Sequence, residues 1–184
     1  MALKGKTMSV VSFDKALDCL GYSYIYIKRI DKLELWLRWT KVLGILIPVL
    51  VGSILLAYVR NQIILEWAVT ITTPLVIGQL LLSTYLTIVG SDTKVMDYSR
   101  LASEFTLLHS DFDDFARQEI QDEKRYSILI ERYRGLSVMK YSIKDKELRM
   151  AMRYGLREYR RACASCKQVP TSMVPTECDV CGNF

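Results

Sequence analysis

The sequence predicts an all-α membrane protein, and three observations along its 184 residues support that class. Two long uncharged runs are separated by only seven residues, apolar residues recur at helical spacing on both sides of these runs, and two C-x-x-C pairs stand near the end. Apolar residues make up 51% of the chain, which is too many for a disordered protein. A collagen-like protein is excluded by only nine glycines, and a secreted disulfide scaffold by five cysteines of which four cluster near the end of the chain.

The two uncharged runs predict a transmembrane hairpin over residues 42–91, with spans at 42–59 and 67–91. Eighteen helical residues rise about 27 Å, close to the thickness of the hydrocarbon core. Within residues 42–91 the only charges are Arg60 and Glu66. Because only seven residues link the two spans, the spans are expected to run antiparallel. A cleaved signal peptide is excluded, because twelve charged residues precede the first apolar run.

Basic residues near the span ends predict that both termini are cytoplasmic in a multi-pass protein. The connecting loop contains one basic residue, whereas the flanks of the spans contain Lys28, Arg29, Lys32, Arg38, Lys41, Lys94 and Arg100. Three tryptophans stand at the positions expected for a membrane interface, namely Trp36, Trp39 and Trp67. We therefore expect a cytoplasmic amphipathic helix over 1–41, the hairpin over 42–91, a cytoplasmic helical region over 92–161 and a separate tail over 162–184.

Both flanks carry apolar seams with alternating steps of three and four residues, which indicates amphipathic helices. The first seam is Phe13, Leu17, Leu20, Tyr24 and Ile27, and the second is Tyr98, Leu101, Phe105, Leu108, Phe112 and Phe115. A third run follows at Tyr126, Leu129, Tyr133 and Leu136. We expect the seams to pack on one another within one chain as a helical bundle; contact between subunits is the alternative.

Four arginines recur at helical spacing on one face: Arg149, Arg153, Arg157 and Arg160. One interpretation is a cationic stripe that binds phosphates of nucleic acid, of a nucleotide or of anionic lipid, or that binds a partner protein. The other interpretation is an ordinary solvated helix face.

The tail contains the four cysteines Cys163, Cys166, Cys178 and Cys181 as C-x-x-C-x11-C-x-x-C. Each C-x-x-C turn places two thiolates about one tetrahedral edge apart, so two turns supply the four sulfurs of a structural zinc site. With few large apolar residues the tail needs metal for its folding energy, which predicts a zinc-ribbon-like module. A redox pair or disulfides are the alternatives, and a reducing cytoplasm disfavours disulfides.

No set of residues in the chain matches a catalytic motif, and the only histidine, His109, is expected to be structural. The second span instead carries a polar stripe of Thr72, Gln79, Ser83 and Thr87. This stripe indicates either a water-lined path between several copies or ordinary hydrogen bonds between helices. A two-helix protomer cannot enclose a channel alone, so a pore requires a homo-oligomer.

The order of these parts resembles the SLATT family, the two-transmembrane effector domains of prokaryotic conflict systems. The resemblance covers about residues 12–140, with a Trp-flanked first span containing Gly44 and Pro48 and a later helix beginning Tyr98-Ser-Arg-Leu-Ala-Ser-Glu-Phe. The tail is similar to the mobile-element-associated proteins defined by the same cysteine spacing.

The SLATT resemblance implies a non-enzymatic effector of bacterial anti-phage defence that oligomerises and permeabilises the inner membrane. It further implies a neighbouring gene for a sensor or for a synthase of a nucleotide signal. The alternative function is a membrane-anchored zinc-ribbon adaptor that binds nucleic acid or a partner protein.

Overall fold

A computed structural model describes residues 2–58, 62–88, 90–118, 122–138 and 143–184. The described residues form helices joined by turns and irregular segments, which confirms the all-α prediction; the helices are α1 (Ala2–Tyr58), α2 (Gln62–Ile88), α3 (Ser91–Arg117), α4 (Glu123–Val138) and α5 (Asp145–Glu158). Val59 and Arg60, the end of the first predicted span and the start of its link, lie outside the described residues, as does Val89 of the second predicted span.

Contacts divide the chain into two compact units, one comprising Met1–Arg29 with Tyr98–Phe184 and the other comprising Ile30–Asp97. This grouping differs from the four predicted segments, because the N-terminal part of α1 shares its unit with the cysteine tail.

The unit Ile30–Asp97 contains the apolar part of the chain. Helices α1 and α2 are each long and apolar enough to cross a membrane by length and composition, within Thr7–Ile54 and Val69–Ile88. Large apolar side chains along both helices are exposed, among them Ile45 at 72% and Ile88 at 78%. Helix α2 ends at Ile88, before the predicted end of the second span at residue 91, because Gly90 adopts a left-handed conformation with φ of 64° and α3 begins at Ser91.

The core of the other unit forms where α1 packs on α3. Five residues of the predicted α3 seam are buried, with exposures of 5% or less: Leu101, Phe105, Leu108, Phe112 and Phe115. Rings from α1 contact this row, with Tyr22 and Tyr26 lying 5.3 and 5.9 Å from Phe105 between centroids. Helix α4 covers the other end, where Tyr133 and Tyr126 contact two of the α3 phenylalanines. The predicted seam of α3 therefore packs against α1 and α4 within one chain.

The predicted α1 seam is wrong by one position. The row of α1 that is buried consists of Ser12, Ala16, Cys19, Ser23 and Tyr26. Of the predicted seam only Leu17 is buried, and Ile27 is 44% exposed. The reason is steric, because small side chains on α1 leave room for the large aromatic rings of α3.

Helix α5 lies antiparallel to the N-terminal part of α1. Its start is fixed by Glu147, whose carboxylate accepts two hydrogen bonds from the Arg29 guanidinium at 2.8 and 2.7 Å. Further along α5, the rings of Tyr154 and Tyr24 stack with centroids 4.0 Å apart. Beyond the end of α5, Arg161 pairs with Asp14 at 2.8 Å. These contacts position the segment from which the cysteine tail extends.

Candidate functional site

The four cysteines of the tail converge on one point. Their sulfur atoms all lie within 4.8 Å of one another, with Cys163 3.9 Å from Cys178 and Cys166 3.8 Å from Cys181. These separations are far longer than the sulfur–sulfur bond of a disulfide, and all four are free thiols. A tetrahedron with metal–sulfur bonds of about 2.3 Å has an edge of about 3.8 Å. The cluster is therefore compatible with a four-coordinate metal site, as the spacing predicts.

Two tight turns present these sulfurs. In the first, the Cys163 N–H donates to Gln168 O and the Lys167 N–H donates back to Cys163 O, both at 2.9 Å. In the second, the N–H groups of Gly182 and Asn183 both donate to Cys178 O, at 2.8 and 3.0 Å. Residues 162–184 are all described and none lies in a strand, so the tail is a pair of cysteine turns rather than a ribbon.

Gly182 is required by the close approach of the chain to itself. A Cβ at this position would meet the Thr176 hydroxyl oxygen, and it would lie 2.5 Å from Thr176 O and 2.9 Å from Cys178 N. Two of these three neighbours are backbone atoms, which cannot move without opening the second turn. Steric crowding therefore explains why a glycine follows the last C-x-x-C.

The two cysteines of the second turn differ in electrostatic environment. The pKa of Cys178 falls to about 6, because the backbone N–H groups of Cys181 and Val180 donate to its sulfur. The pKa of Cys181 is raised, because burial disfavours its thiolate and neighbouring thiols hydrogen-bond to it. Cys178 thus offers a thiolate at neutral pH, whereas a cation that binds Cys181 must displace its proton.

Two of the cysteines also belong to a small apolar core. Cys163 and Cys181 are 1% exposed and pack with Leu17 of α1 and Leu156 of α5. The tail is therefore supported by burial against two helices, which the sequence reasoning missed. The signal available in the sequence was the recurrence of apolar residues along α5 at Leu148, Met152 and Leu156, followed by Tyr159 just beyond the helix.

The predicted arginine stripe is split by the structure. Arg153 is 7% exposed, and its guanidinium donates to Ser172 O at 2.7 Å and to Thr176 Oγ1 and Cys181 O at 3.3 Å. A buried cation of this kind holds the tail and is not part of an open cationic surface, which differs from the expectation for this residue. Four thiolates around a divalent cation carry a net charge of −2, and this charge would compensate for the desolvation of the guanidinium.

The other three arginines have separate roles. Arg149 donates to Asn183 O at 2.9 Å, so it also contacts the tail. Arg157 pairs with its neighbour Glu158 at 2.6 Å and lies over the Tyr154 ring. Arg160 is exposed with a positive φ of 49°. Binding of phosphate or of a partner by these residues stays a prediction.

The polar stripe of α2 is only partly turned towards α1. The Gln79 side chain donates to Thr40 O at 3.1 Å and lies against Gly44. Ser83 and Thr87 are exposed, the Thr87 hydroxyl donating to Ser83 O within the helix, while Thr72 is half-buried. One N–H of the Gln79 amide, the group in this stripe that is costliest to place in lipid, thus makes a hydrogen bond between the two helices.

His109 lies at the junction of α3 with α1 and the end of α5. Its Nδ1 is 3.1 Å from Ala16 O and 3.3 Å from the Tyr159 hydroxyl oxygen, and the Tyr159 O–H donates to Asp113 at 3.3 Å. Burial, and then the charge of Asp113, raise the pKa of Tyr159. The histidine therefore joins three helical segments within the bundle.

Comparison with known proteins gives a match to a protein family. No curated protein and no solved structure matches the chain. A family profile described as "Mobilome CxxCx(11)CxxC protein" matches residues 11–184, so the match includes the apolar helices and the bundle as well as the cysteines. The chain belongs to the family of mobilome CxxCx(11)CxxC proteins.

Proposed function

We propose that this protein is a membrane effector of bacterial defence that oligomerises and permeabilises the inner membrane. The observation that carries the proposal is the pair of exposed apolar helices that Gln79 and Thr40 link by a hydrogen bond. In water, exposed apolar surface of this extent is unfavourable, whereas in lipid it is the expected surface of a hairpin. The distribution of basic residues around the two helices supports an orientation with both termini in the cytoplasm.

Permeabilisation requires several copies, because two helices cannot surround a water-filled path. Within one protomer Gln79 donates a hydrogen bond to α1, and the hydroxyls of Ser83 and Thr87 are exposed polar groups of the same stripe that a neighbouring copy would meet. In lipid, such hydroxyls favour helix association. This supports a homo-oligomer whose polar path forms between hairpins.

The cysteine cluster supports a structural Zn²⁺ in this proposal. Zinc prefers four thiolates in tetrahedral geometry, and two of the sulfur separations match such a site. The ion would stabilise the tail on α5 and leave no open coordination position for catalysis. The family name associates such chains with mobile genetic elements, which is consistent with a defence role. The SLATT resemblance, and a sensor or nucleotide-signal synthase as partner, stay hypotheses.

The test is permeability of vesicles that contain the purified full-length protein. We expect release of a small entrapped dye, and we expect Gln79→Leu to weaken it because the hairpin loses its interhelical hydrogen bond. Thr73→Val is the matched control, since the Thr73 hydroxyl donates to Val69 O in its own helix. Insertion is checked separately by resistance to carbonate extraction. Dye release no greater than from empty vesicles would contradict permeabilisation.

A second candidate is a membrane-anchored adaptor. The observation that favours it is the exposure of three valines on the tail, Val169, Val174 and Val180, at 44%, 64% and 39%. Exposed apolar side chains suit a protein partner better than nucleic acid. If the full chain captures the product of a neighbouring gene and Val174→Asp abolishes this capture, the result would support the adaptor. Salt-dependent binding of nucleic acid would instead indicate that the adaptor recognises phosphates.

A further inference from the structure

The pairing of α1 with α2 places charged residues of α1 at the same level as apolar residues of α2. Helix α1 continues from Thr40 to its end at Tyr58, and α2 begins at Gln62 and reaches Gln79 over a similar length. The hydrogen bond between Gln79 and Thr40 therefore fixes an antiparallel pairing, in which residues of α1 before Thr40 lie level with residues of α2 after Gln79. On α2 this level is apolar and exposed, with Leu81 at 67% and Ile88 at 78%.

The same level of α1 carries both apolar and charged side chains. Trp36 and Trp39 are 55% and 60% exposed. Tryptophan is a residue type that is enriched at membrane–water interfaces. Around them in sequence, Glu34, Arg38 and Lys41 recur at steps of four and three residues, so they share one face of the helix. This face thus presents charges at the edge of the hydrocarbon.

These charges line a cleft of about 430 Å³ within the unit Ile30–Asp97. Its walls include Glu34, Arg38 and Lys41 from α1 and Asp92 from the first turn of α3, together with apolar side chains. Among the residues that the structure describes, none of the four has an ion-pair partner. The cleft is in the size range of small-molecule sites.

The charge balance of the cleft selects one class of ligand. Two basic groups suit a phosphate, and two acidic groups suit an ammonium that donates hydrogen bonds. A purely anionic headgroup would satisfy the bases and be repelled by the carboxylates. At the hydrocarbon edge unpaired charges are costly, so a ligand with both charges is favoured.

We propose that this cleft binds the phosphoethanolamine headgroup of a lipid, phosphatidylethanolamine, with Arg38 and Lys41 on the phosphate and Glu34 and Asp92 on the ammonium. The site rests on the proposed membrane insertion, since insertion brings lipid headgroups to this level. The apolar walls then contact the start of the acyl chains. Phosphatidylcholine lacks N–H donors for the carboxylates, and phosphatidylglycerol lacks the cation.

The experiment is native mass spectrometry of the full-length protein in detergent with equal amounts of phosphatidylethanolamine, phosphatidylglycerol and phosphatidylcholine. We expect phosphatidylethanolamine to bind about five-fold more tightly than either other lipid, which corresponds to about 1 kcal/mol for one exposed charge pair. Soluble glycerophosphoethanolamine is added as a competitor, and its competition distinguishes recognition of the headgroup alone from recognition that needs the acyl chains.

Three double variants locate the site. Arg38→Gln with Lys41→Gln is expected to abolish the preference, and Glu34→Gln with Asp92→Asn is expected to shift it to phosphatidylglycerol. The control, Lys94→Gln with Arg100→Gln, removes the same charge outside the cleft and is expected to keep the preference.

Equal binding of the three lipids, or an unchanged preference in the first variant, would overturn the proposal. Carbonate extraction of the same proteins from membranes reports insertion independently. If the protein resists carbonate extraction but shows no preference for phosphatidylethanolamine, the lipid site is refuted and membrane insertion is not. If the protein prefers phosphatidylethanolamine but carbonate extracts it from membranes, the proposed membrane function is refuted and the headgroup site is not.

Discussion

Replacing Arg153 by methionine tests whether this residue fastens the cysteine tail to α5. The substitution keeps a long apolar stem and removes the guanidinium, which is 7% exposed. Three acceptors then lose their donor, namely Ser172 O, Thr176 Oγ1 and Cys181 O. Since water has little access to this position, the orphaned acceptors are not readily solvated.

The size of the effect follows from the bond lengths. A hydrogen bond from a charged donor contributes about 1.5 to 3 kcal/mol, and the bond to Ser172 at 2.7 Å belongs to that class. The two bonds at 3.3 Å are weaker. We expect a total loss of about 3 kcal/mol. Because folding of the tail and metal binding are coupled, the apparent affinity for Zn²⁺ should fall about 100-fold.

The assay is competition for Zn²⁺ with a chromophoric chelator at neutral pH, using the full-length protein. Arg157→Met is the matched control, because Arg157 lies one turn further along α5 and pairs with its neighbour Glu158. Its affinity should change about two-fold or less. If Arg153→Met binds Zn²⁺ as tightly as this control, the buried guanidinium does not hold the metal-binding tail.

Two further predictions concern the tail and the docking of α5. Gly182→Ala should open the second cysteine turn and destabilise the folded tail by about 3 kcal/mol. Metal analysis should then find less than one Zn²⁺ per chain. The control Gly135→Ala should keep full occupancy, because a Cβ at this position would have nothing within 4 Å. The hydrogen bonds from Arg29 lower the pKa of Glu147, so the ion pair stabilises the fold at neutral pH, and this stabilisation is lost as the pH falls through that lowered pKa. Glu147→Gln should therefore cost about 1 kcal/mol in chemical denaturation at pH 7, and this cost should shrink as the pH is lowered through the pKa of Glu147, whereas a loss that stays constant across the acid range would refute the ion-pair account.

The sequence alone determined the features that depend on local spacing. Steps of three and four residues predicted the buried row of α3, because an apolar stripe of that period has to face a core. The cysteine spacing predicted the four-sulfur cluster, because each C-x-x-C turn brings its own pair together. The uncharged runs predicted two apolar helices of sufficient length, since charge density is readable without a fold.

Only the tertiary structure decided features that depend on distant partners. Large residues at Leu20 and Ile27 suggested the wrong face of α1, because most of the buried face consists of small residues that make room for the rings of α3. Arg153 looked like its neighbours in the stripe, and its burial follows from carbonyl oxygens that the tail supplies 19 to 28 residues later. A side chain's periodicity fixes its direction on its own helix, whereas its role depends on which atoms the rest of the chain places there.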